Sequence, residues 1–260
     1  MQDLTITLLQ SDLYWHQADA NRAMFEEKIW QLPNTGDVIV LPEMFTTGFT
    51  MEGEKWAEPM NLTTFKWMRQ MAAQTEALML GSYIVNDGGR IYNRLIWMQP
   101  NGQYHTYDKR HLFRMANEDK HYSAGKERLI AEWKGWKICP LICYDLRFPV
   151  WSRNSKLEYD LLLYVANWPQ ARVSAWDALL KARAIENLCY AAGVNRIGAD
   201  GNDIPYNGHS AIIDPKGNYL AEPTDNEGFI QVSLSAHDLL SYREKFPAHL
   251  DADSFHLDLG

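Results

Sequence analysis

A cysteine at the end of a predicted strand is the first residue that could do chemistry. In the segment ICPLICYDLRFP (138–149), an apolar run ends at Cys143, and Asp145 and Arg147 follow it closely. Reactive groups of α/β proteins are often exposed where a strand feeds a loop and a helix. A thiol at this place can act as a nucleophile if a base takes its proton or a cation lowers its pKa. For Asp145 and Arg147 we expect an ion pair that stiffens the turn before Pro149, with substrate contact as the second interpretation.

One acidic and one basic residue lie at the ends of other apolar segments. Glu43 follows the run VIVLP, where burial of a carboxylate without a partner would cost free energy. Lys109 lies in YHTYDKRHLF, at the close of a predicted hairpin region. Taken singly, each has an ordinary alternative: Glu43 could cap a strand end, and Lys109 could be a solvated lysine.

The hydrophobic pattern predicts alternating strands and helices, with hairpins between some of them. Strands are predicted at 4–10, 37–45, 78–85, 136–145 and 160–168, and helices at 16–32, 62–77, 149–157 and 174–193. Glycine-containing turns predict hairpins at 86–90, 100–103 and 211–222. The chain therefore reads as one mixed α/β domain, residues 1–260, whose sheet layers are covered by helices.

The segment 174–193 gives the clearest helix prediction. Ser174 and Asp177 have the spacing of an N-terminal capping box, and Gly193 suits the helix end. Residues 246–260 are acidic and weakly periodic, and we expect them to form a C-terminal tail or an arm that docks on another surface.

Composition and charge exclude several classes of function. A net charge of −8 with scattered basic residues disfavours a nucleic-acid surface. We find no export signal and no apolar run long enough to span a bilayer, so the cytoplasm is the expected location. The three cysteines are odd in number, and Cys139 and Cys143 are too far apart along one strand to pair. Cys139 and Cys189 are expected to be core residues.

Three motifs occur in an order that resembles the nitrilase superfamily of carbon–nitrogen hydrolases. They are LPEMF (41–45), YDKRHLF (107–113) and LICYDLRFP (141–149), and the similarity continues in NWP (167–169), RAIEN (183–187) and GHSAIIDPKG (208–217). The resemblance covers nearly the whole chain. It implies a four-layer αββα sandwich with mixed sheets, and a homodimer.

The resemblance also implies which residues are catalytic. The superfamily's catalytic glutamate, lysine and cysteine correspond to Glu43, Lys109 and Cys143. A second glutamate, which would position the lysine, corresponds best to Glu118 in RMANEDKHYSAG (114–125).

These assignments agree with what amide hydrolysis requires. The reaction needs a nucleophile, a base that returns its proton to the departing amine, and a positive group for the oxyanion. Cys143, Glu43 and Lys109 supply these functions in turn, and the backbone N–H of Tyr144 would be a second oxyanion donor. Water then cleaves the thioester, so the sequence implies no cofactor and no metal site.

Within the superfamily, the length and the motifs resemble the ω-amidase branch most. This implies a small-molecule substrate, the terminal amide of a dicarboxylic acid monoamide such as 2-oxoglutaramate. The segment NWPQARVSAW (167–176) departs from the animal ω-amidases, so substrate recognition is less constrained than the chemistry. A substrate carboxylate needs a cation, for which Arg114, Arg147 and Arg172 are candidates, and Trp168 is a candidate apolar wall.

Other functions remain as alternatives. Within the same superfamily they are an N-carbamoyl amidohydrolase and an aliphatic nitrilase. A cysteine hydrolase with a Cys-His pair could use His111, His121 or His209. A catalytically silent binding module would keep the fold, although Glu43, Lys109 and Cys143 are all present.

Overall fold

Strands and helices alternate along the chain, as the hydrophobic pattern predicts. A computed structural model describes residues 1–256. Its strands are β1 (Leu4–Gln10), β2 (Val38–Val40), β3 (Glu58–Pro59), β4 (Leu78–Asp87), β5 (Arg90–Met98), β6 (Tyr104–Asp108), β7 (Ala131–Trp133), β8 (Trp136–Ile142), β9 (Leu161–Ala166), β10 (Tyr190–Asn195), β11 (Ile197–Ala199), β12 (Pro205–Asn207), β13 (Ala211–Ile213), β14 (Tyr219–Ala221) and β15 (Gly228–Leu234). Its α-helices are α1 (Ala18–Trp30), α2 (Gly53–Trp56), α3 (Thr63–Thr75), α4 (Glu118–His121), α5 (Val173–Asn187) and α6 (Ala236–Lys245). Short 3-10 helices lie at Arg114–Ala116, Cys143–Arg147, Gln170–Arg172 and Ala248–Asp251.

Two mixed sheets make up the centre of the fold. The first has the order β15-β1-β2-β4-β5-β6, with β3 paired to β4, and the second has the order β14-β13-β10-β9-β8-β7. Strands β1, β2 and β4 are parallel to one another, as are β8, β9 and β10. Antiparallel hairpins extend the sheets from these parallel centres, and the three predicted hairpins are confirmed as β4–β5, β5–β6 and β13–β14.

The side chains of the central strands alternate between two apolar cores. Val38 and Val40 of β2 enter a core shared with β8, β9 and α5, whereas Ile39 between them packs with α1 and α3. This period of two explains why VIVL is continuously apolar, since both faces of the strand are buried. The layers are thus helices, sheet, sheet and helices, which confirms the predicted four-layer αββα sandwich.

One helix prediction was wrong about where the helix ends, and another was wrong altogether. The helix predicted at 174–193 ends at Asn187, because Leu188 has φ 48° and the chain then turns into strand β10. Its predicted capping box does not form either, since Asp177 contacts the ring of His209 instead. Residues 149–157, predicted as a helix, form turns.

The predicted tail begins directly after α6. It contains the 3-10 helix Ala248–Asp251, and the side chains of Phe246, Leu250 and Phe255 are more than half exposed. Residues 257–260 lie outside the described residues. No helix within residues 1–256 combines the length and the apolar character needed to cross a bilayer.

Candidate active site

The candidate catalytic residues meet where the parallel strands end. Cys143 directly follows β8, Asn167 directly follows β9, and Glu43 lies three residues beyond β2. The backbone N–H of Asn167 donates to Glu43 Oε2 over 2.9 Å, so the loops after one sheet touch those after the other. Loops at the carboxyl ends of parallel strands are the usual place for a site in α/β proteins.

Glu43 is fully buried, and its carboxylate receives three hydrogen bonds. Oε1 accepts from Lys109 Nζ at 2.8 Å and from Asn93 Nδ2 at 2.7 Å, and Oε2 accepts from the Asn167 backbone. The Asn167 side chain also donates to the backbone carbonyl of Glu43. These contacts hold the carboxylate in one orientation, and two of its donors, Asn93 and the Asn167 backbone, had no role in the sequence analysis. An asparagine within the apolar strand β5 is the signal by which Asn93 could have been found.

Lys109 lies between two buried carboxylates. Its Nζ is 2.8 Å from Glu43 Oε1 and 3.0 Å from each carboxylate oxygen of Glu118, and the backbone N–H of Phe113 also donates to Glu118 over 2.6 Å. Burial alone would lower the pKa of Lys109, but Glu118 and Glu43 outweigh it and raise that pKa well above its ordinary value. Burial and the nearby Glu43 raise the pKa of Glu118, while Lys109 opposes this shift. The lysine therefore stays charged and is shared by the two acids.

Cys143 begins the 3-10 helix Cys143–Arg147 with a strained backbone. Its φ is 42°, in the left-handed region that non-glycine residues rarely adopt, and its Sγ lies 3.8 Å from the carbonyl oxygen of Asn167. Burial raises the pKa of the thiol well above its ordinary value, and Glu43 adds to this shift while Lys109 opposes it. This shift favours the protonated thiol, which could act as a nucleophile only if a base took its proton.

A cavity of about 280 Å³ opens onto the thiol. Its lining includes Lys109, Cys143, Tyr144, Asn167 and Trp168. Arg147 and Arg172 also line it, with their guanidinium groups over the rings of Trp168 and Phe113 at 5.0 and 5.2 Å. Within residues 1–256, neither arginine forms an ion pair with a carboxylate of the chain.

The third candidate arginine lies elsewhere. Arg114 is largely exposed, pairs with Asp119 at 2.9 Å and does not line this cavity. In the described part of the chain, no three histidine, cysteine or carboxylate side chains are arranged to hold a metal ion.

The expected ion pair between Asp145 and Arg147 was wrong. The Asp145 carboxylate is fully buried and accepts hydrogen bonds from Tyr107, His111 and the backbone of Ile142. Arg147 is only partly buried and stacks on Trp168 in the cavity lining. The two side chains differ in burial because the turn bends away from the strand at Cys143, which local spacing alone does not predict.

Comparison with known proteins identifies the class. The sequence profile of the carbon–nitrogen hydrolase family matches residues 5–244, so the chain belongs to that family. It is 50% identical to the omega-amidase YafV of Escherichia coli over 258 residues, 99% of this chain and all of the relative. It is 34% identical to the 2-oxoglutaramate amidase of Bacillus subtilis, over 95% of this chain and 96% of that one.

A solved structure has the same architecture. XC1258 from Xanthomonas campestris, a carbon–nitrogen hydrolase superfamily protein with an arsenic adduct in its active site, superimposes with a TM-score of 0.97 at 46% identity. The match covers 99% of this chain and 100% of that protein. The resemblance to the nitrilase superfamily is therefore confirmed, as is the enzyme class, a hydrolase acting on carbon–nitrogen bonds of the amidase type.

Proposed function

We propose that the protein hydrolyses the terminal amide of a small dicarboxylic acid monoamide, such as 2-oxoglutaramate, to the acid and ammonia. The observation that carries this proposal is a single cavity with two kinds of group. The thiol of Cys143 lies in it beside Lys109, and Arg147 and Arg172 line it. Neither arginine pairs with a carboxylate among residues 1–256. The first pair suits attack on an amide, and the two arginines suit the carboxylate at the other end of the substrate.

In the proposed reaction, Cys143 Sγ attacks the amide carbonyl carbon and forms the carbon–sulfur bond. Glu43 takes the thiol proton as the general base. The raised pKa of the Cys143 thiol supports this assignment, because a protonated nucleophile must lose its proton as the bond forms.

The negative charge that develops on the carbonyl oxygen is stabilised by Lys109 and by the backbone N–H of Tyr144. Lys109 keeps its proton in this role, since Glu43 and Glu118 raise its pKa. Tyr144 follows the nucleophile at the start of a 3-10 helix, where the first N–H groups have no partner within the helix. Glu118 holds the lysine in place through both of its oxygens.

Glu43 then gives its proton to the amide nitrogen, the carbon–nitrogen bond breaks and ammonia leaves. The acyl group remains on Cys143 as a thioester. A water molecule gives a proton to the same Glu43 and attacks the thioester carbonyl carbon. The carbon–sulfur bond then breaks, the acid leaves, and Glu43 returns the proton to the sulfur of Cys143. No cofactor is required by this sequence of steps.

The names of the relatives support the substrate class. One is an omega-amidase and another a 2-oxoglutaramate amidase, both similar over nearly the whole chain. We propose Arg147 and Arg172 as the residues that bind the substrate carboxylate, and Trp168 as an apolar wall. Arg114 is left out of this proposal because it lies outside the cavity lining.

A panel of amides tests the proposal. Ammonia release is measured from 2-oxoglutaramate, succinamate, glutamine, an N-carbamoyl amino acid and a simple nitrile, with wild type and Cys143→Ala side by side. We expect turnover of the ω-amides by the wild type and none by the variant. Preference for the N-carbamoyl compound or the nitrile would move the assignment to another branch, and silence on the whole panel would favour a binding module.

We also propose that two copies of the chain form a homodimer. The apolar side chains of Val150, Ile185, Phe246 and Phe255 are each about half exposed, and Arg153 borders the two surface depressions they line. Two of them belong to the predicted tail, which would contribute to the contact. Sedimentation that gives a 30.0 kDa species would refute the dimer.

A cytoplasmic location belongs to the same proposal. The three cysteines of the chain are all free, and a nucleophilic thiol keeps its reactivity best in a reducing compartment. Fractionation of the source cells, with ammonia release from the ω-amide as the assay, tests this location.

A further inference from the structure

Asp145 is a buried acid for which the proposed reaction has no direct use. Its side chain is fully buried, and each carboxylate oxygen has two hydrogen-bond partners. Oδ1 contacts the backbone N–H of His111 at 3.0 Å and the ring Nδ1 of His111 at 2.8 Å. Oδ2 accepts from the backbone N–H of Ile142 at 3.0 Å and from the hydroxyl of Tyr107 at 2.7 Å.

These partners belong to two separate pieces of the chain that carry candidate catalytic residues. Ile142 directly precedes Cys143, so its hydrogen bond fixes the turn that holds the nucleophile in its strained backbone conformation. Tyr107 and His111 lie two residues before and two residues after Lys109. Asp145 therefore contacts the lysine segment on both sides of the lysine.

The contacts around Asp145 are themselves supported. The hydroxyl of Tyr107 accepts hydrogen bonds from Trp151 Nε1 at 3.0 Å and from the backbone N–H of Arg110 at 3.3 Å, which leaves its own hydrogen directed to Asp145. The ring of His111 stacks on Phe148 with the centroids 3.7 Å apart. Neither ring is free to turn away, so the position of the carboxylate is determined from both ends.

We propose that Asp145 is a positioning residue that sets the distance between the thiol of Cys143 and the ammonium group of Lys109. The proposal rests on the proposed function, because it assumes that these two groups act on the same carbonyl. Asp145 does not touch the substrate in this proposal. It acts by tying the nucleophile turn to the lysine segment, so that the oxyanion forms where the lysine can stabilise it.

The substitution Asp145→Asn tests this tie with little change of shape. Each carboxylate oxygen accepts one backbone N–H, from His111 or from Ile142. An amide NH₂ group in either place would face a donor, so one of the two ties is lost whichever way the asparagine side chain is flipped. The variant is thus expected to release either the lysine segment or the nucleophile turn.

We expect kcat of Asp145→Asn for the ω-amide to fall about 100-fold, because a misplacement of about 1 Å has that effect on a reaction of oriented groups. KM should stay close to the wild-type value. Tyr107→Phe removes one of the four donors and should lower kcat less. His111→Asn keeps a side-chain donor near the Nδ1 position and should retain more activity than His111→Ala.

The matched control is Asp160→Asn. Asp160 directly precedes β9, is also buried and does not line the cavity. Its carboxylate accepts hydrogen bonds from the side chain of Arg243 and from the backbone N–H of Lys137. A thermal melt followed by circular dichroism gives the fraction of folded protein at the assay temperature, and kcat is expressed per folded protein. We expect Asp160→Asn to lower the melting temperature but to keep kcat per folded protein.

The outcomes separate the inference from the proposed function. A fall in kcat per folded protein in Asp145→Asn, with Cys143→Ala inactive, supports both. Wild-type kcat per folded protein in Asp145→Asn would overturn the positioning role and leave the function standing, as would a loss explained wholly by a smaller folded fraction. Full activity of Cys143→Ala would instead overturn the proposed function.

Discussion

Replacement of Lys109 by methionine tests the electrostatics of the site. The ammonium group lies 2.8 Å from Glu43 and 3.0 Å from Glu118, and all three side chains are essentially inaccessible to solvent. At an effective dielectric constant of about 20, each attraction amounts to roughly 5 to 6 kcal/mol before the cost of burying the charges is subtracted. Lys109→Met leaves two buried carboxylates without their cation.

The expected losses differ for stability and for catalysis. Removal of one partner from a buried ion pair lowers the free energy of unfolding by about 3 to 5 kcal/mol. Loss of one oxyanion donor lowers kcat by about 100- to 1000-fold. Urea unfolding at pH 7.5 measures the first, and ammonia release from the ω-amide measures the second.

The double variant Lys109→Met/Glu118→Gln separates the two effects. Glutamine removes one of the surplus charges and can still accept the backbone N–H of Phe113, so part of the stability should return, while activity should stay low. If Lys109→Met kept kcat within about tenfold of wild type, the oxyanion role would be refuted. If the second substitution restored no stability, the unpaired charge would not explain the first loss.

Three further predictions concern the arginine proposed to bind the substrate carboxylate, the thiol of Cys143 and the backbone near Lys109. Arg172→Met should lower kcat/KM for 2-oxoglutaramate about 10- to 100-fold, which corresponds to the loss of one charge-assisted hydrogen bond, but should affect a neutral aliphatic amide less. Arg114→Met is the matched control outside the cavity. Equal losses on both substrates in Arg172→Met would contradict carboxylate binding. Because the pKa of the Cys143 thiol is raised, its alkylation rate should keep rising about tenfold per pH unit above pH 9.0, the ordinary pKa of a thiol. Mass spectrometry of the labelled peptides measures this rate. A plateau near neutral pH would contradict a protonated resting thiol. Gly125→Ala should lower the free energy of unfolding by about 1 to 3 kcal/mol, because a Cβ would lie 2.1 Å from the carbonyl oxygen of Asp108, and unchanged urea unfolding would show that the loop shifts freely.

The fold and the positions of the candidate site residues were largely predictable, because the main motifs lie at or near the ends of predicted strands and hairpins. Glu43 is 66 residues from Lys109 along the chain, yet the motifs identified both residues and the structure brings them into contact, with Glu118 on the other side of the lysine. The local sequence pattern did not predict burial where contacts with residues distant in sequence determine it. In α1 the apolar Trp30 is half exposed, whereas Asn21 is fully buried because it donates to the backbone carbonyls of Tyr14 and Thr46.

The predictions of where α5 ends and of the partner of Asp145 were wrong for the same reason. Residues 190–195 have apolar content that a helix would accept, and parallel pairing with β9 makes them a strand instead. Asp145 has an arginine two residues away, but Tyr107 and His111 reach it from another strand and loop. Neither contact leaves a signal in the local sequence.

The most direct test is the mass of enzyme quenched by acid during turnover of a saturating ω-amide. We expect the substrate acyl group, less ammonia, on the peptide that contains Cys143, with Cys139 and Cys189 unmodified as internal controls. Burial raises the pKa of Cys139 to about 12, so that thiol should stay inert. An acyl group on any other residue, or full turnover by Cys143→Ala, would contradict the thioester mechanism.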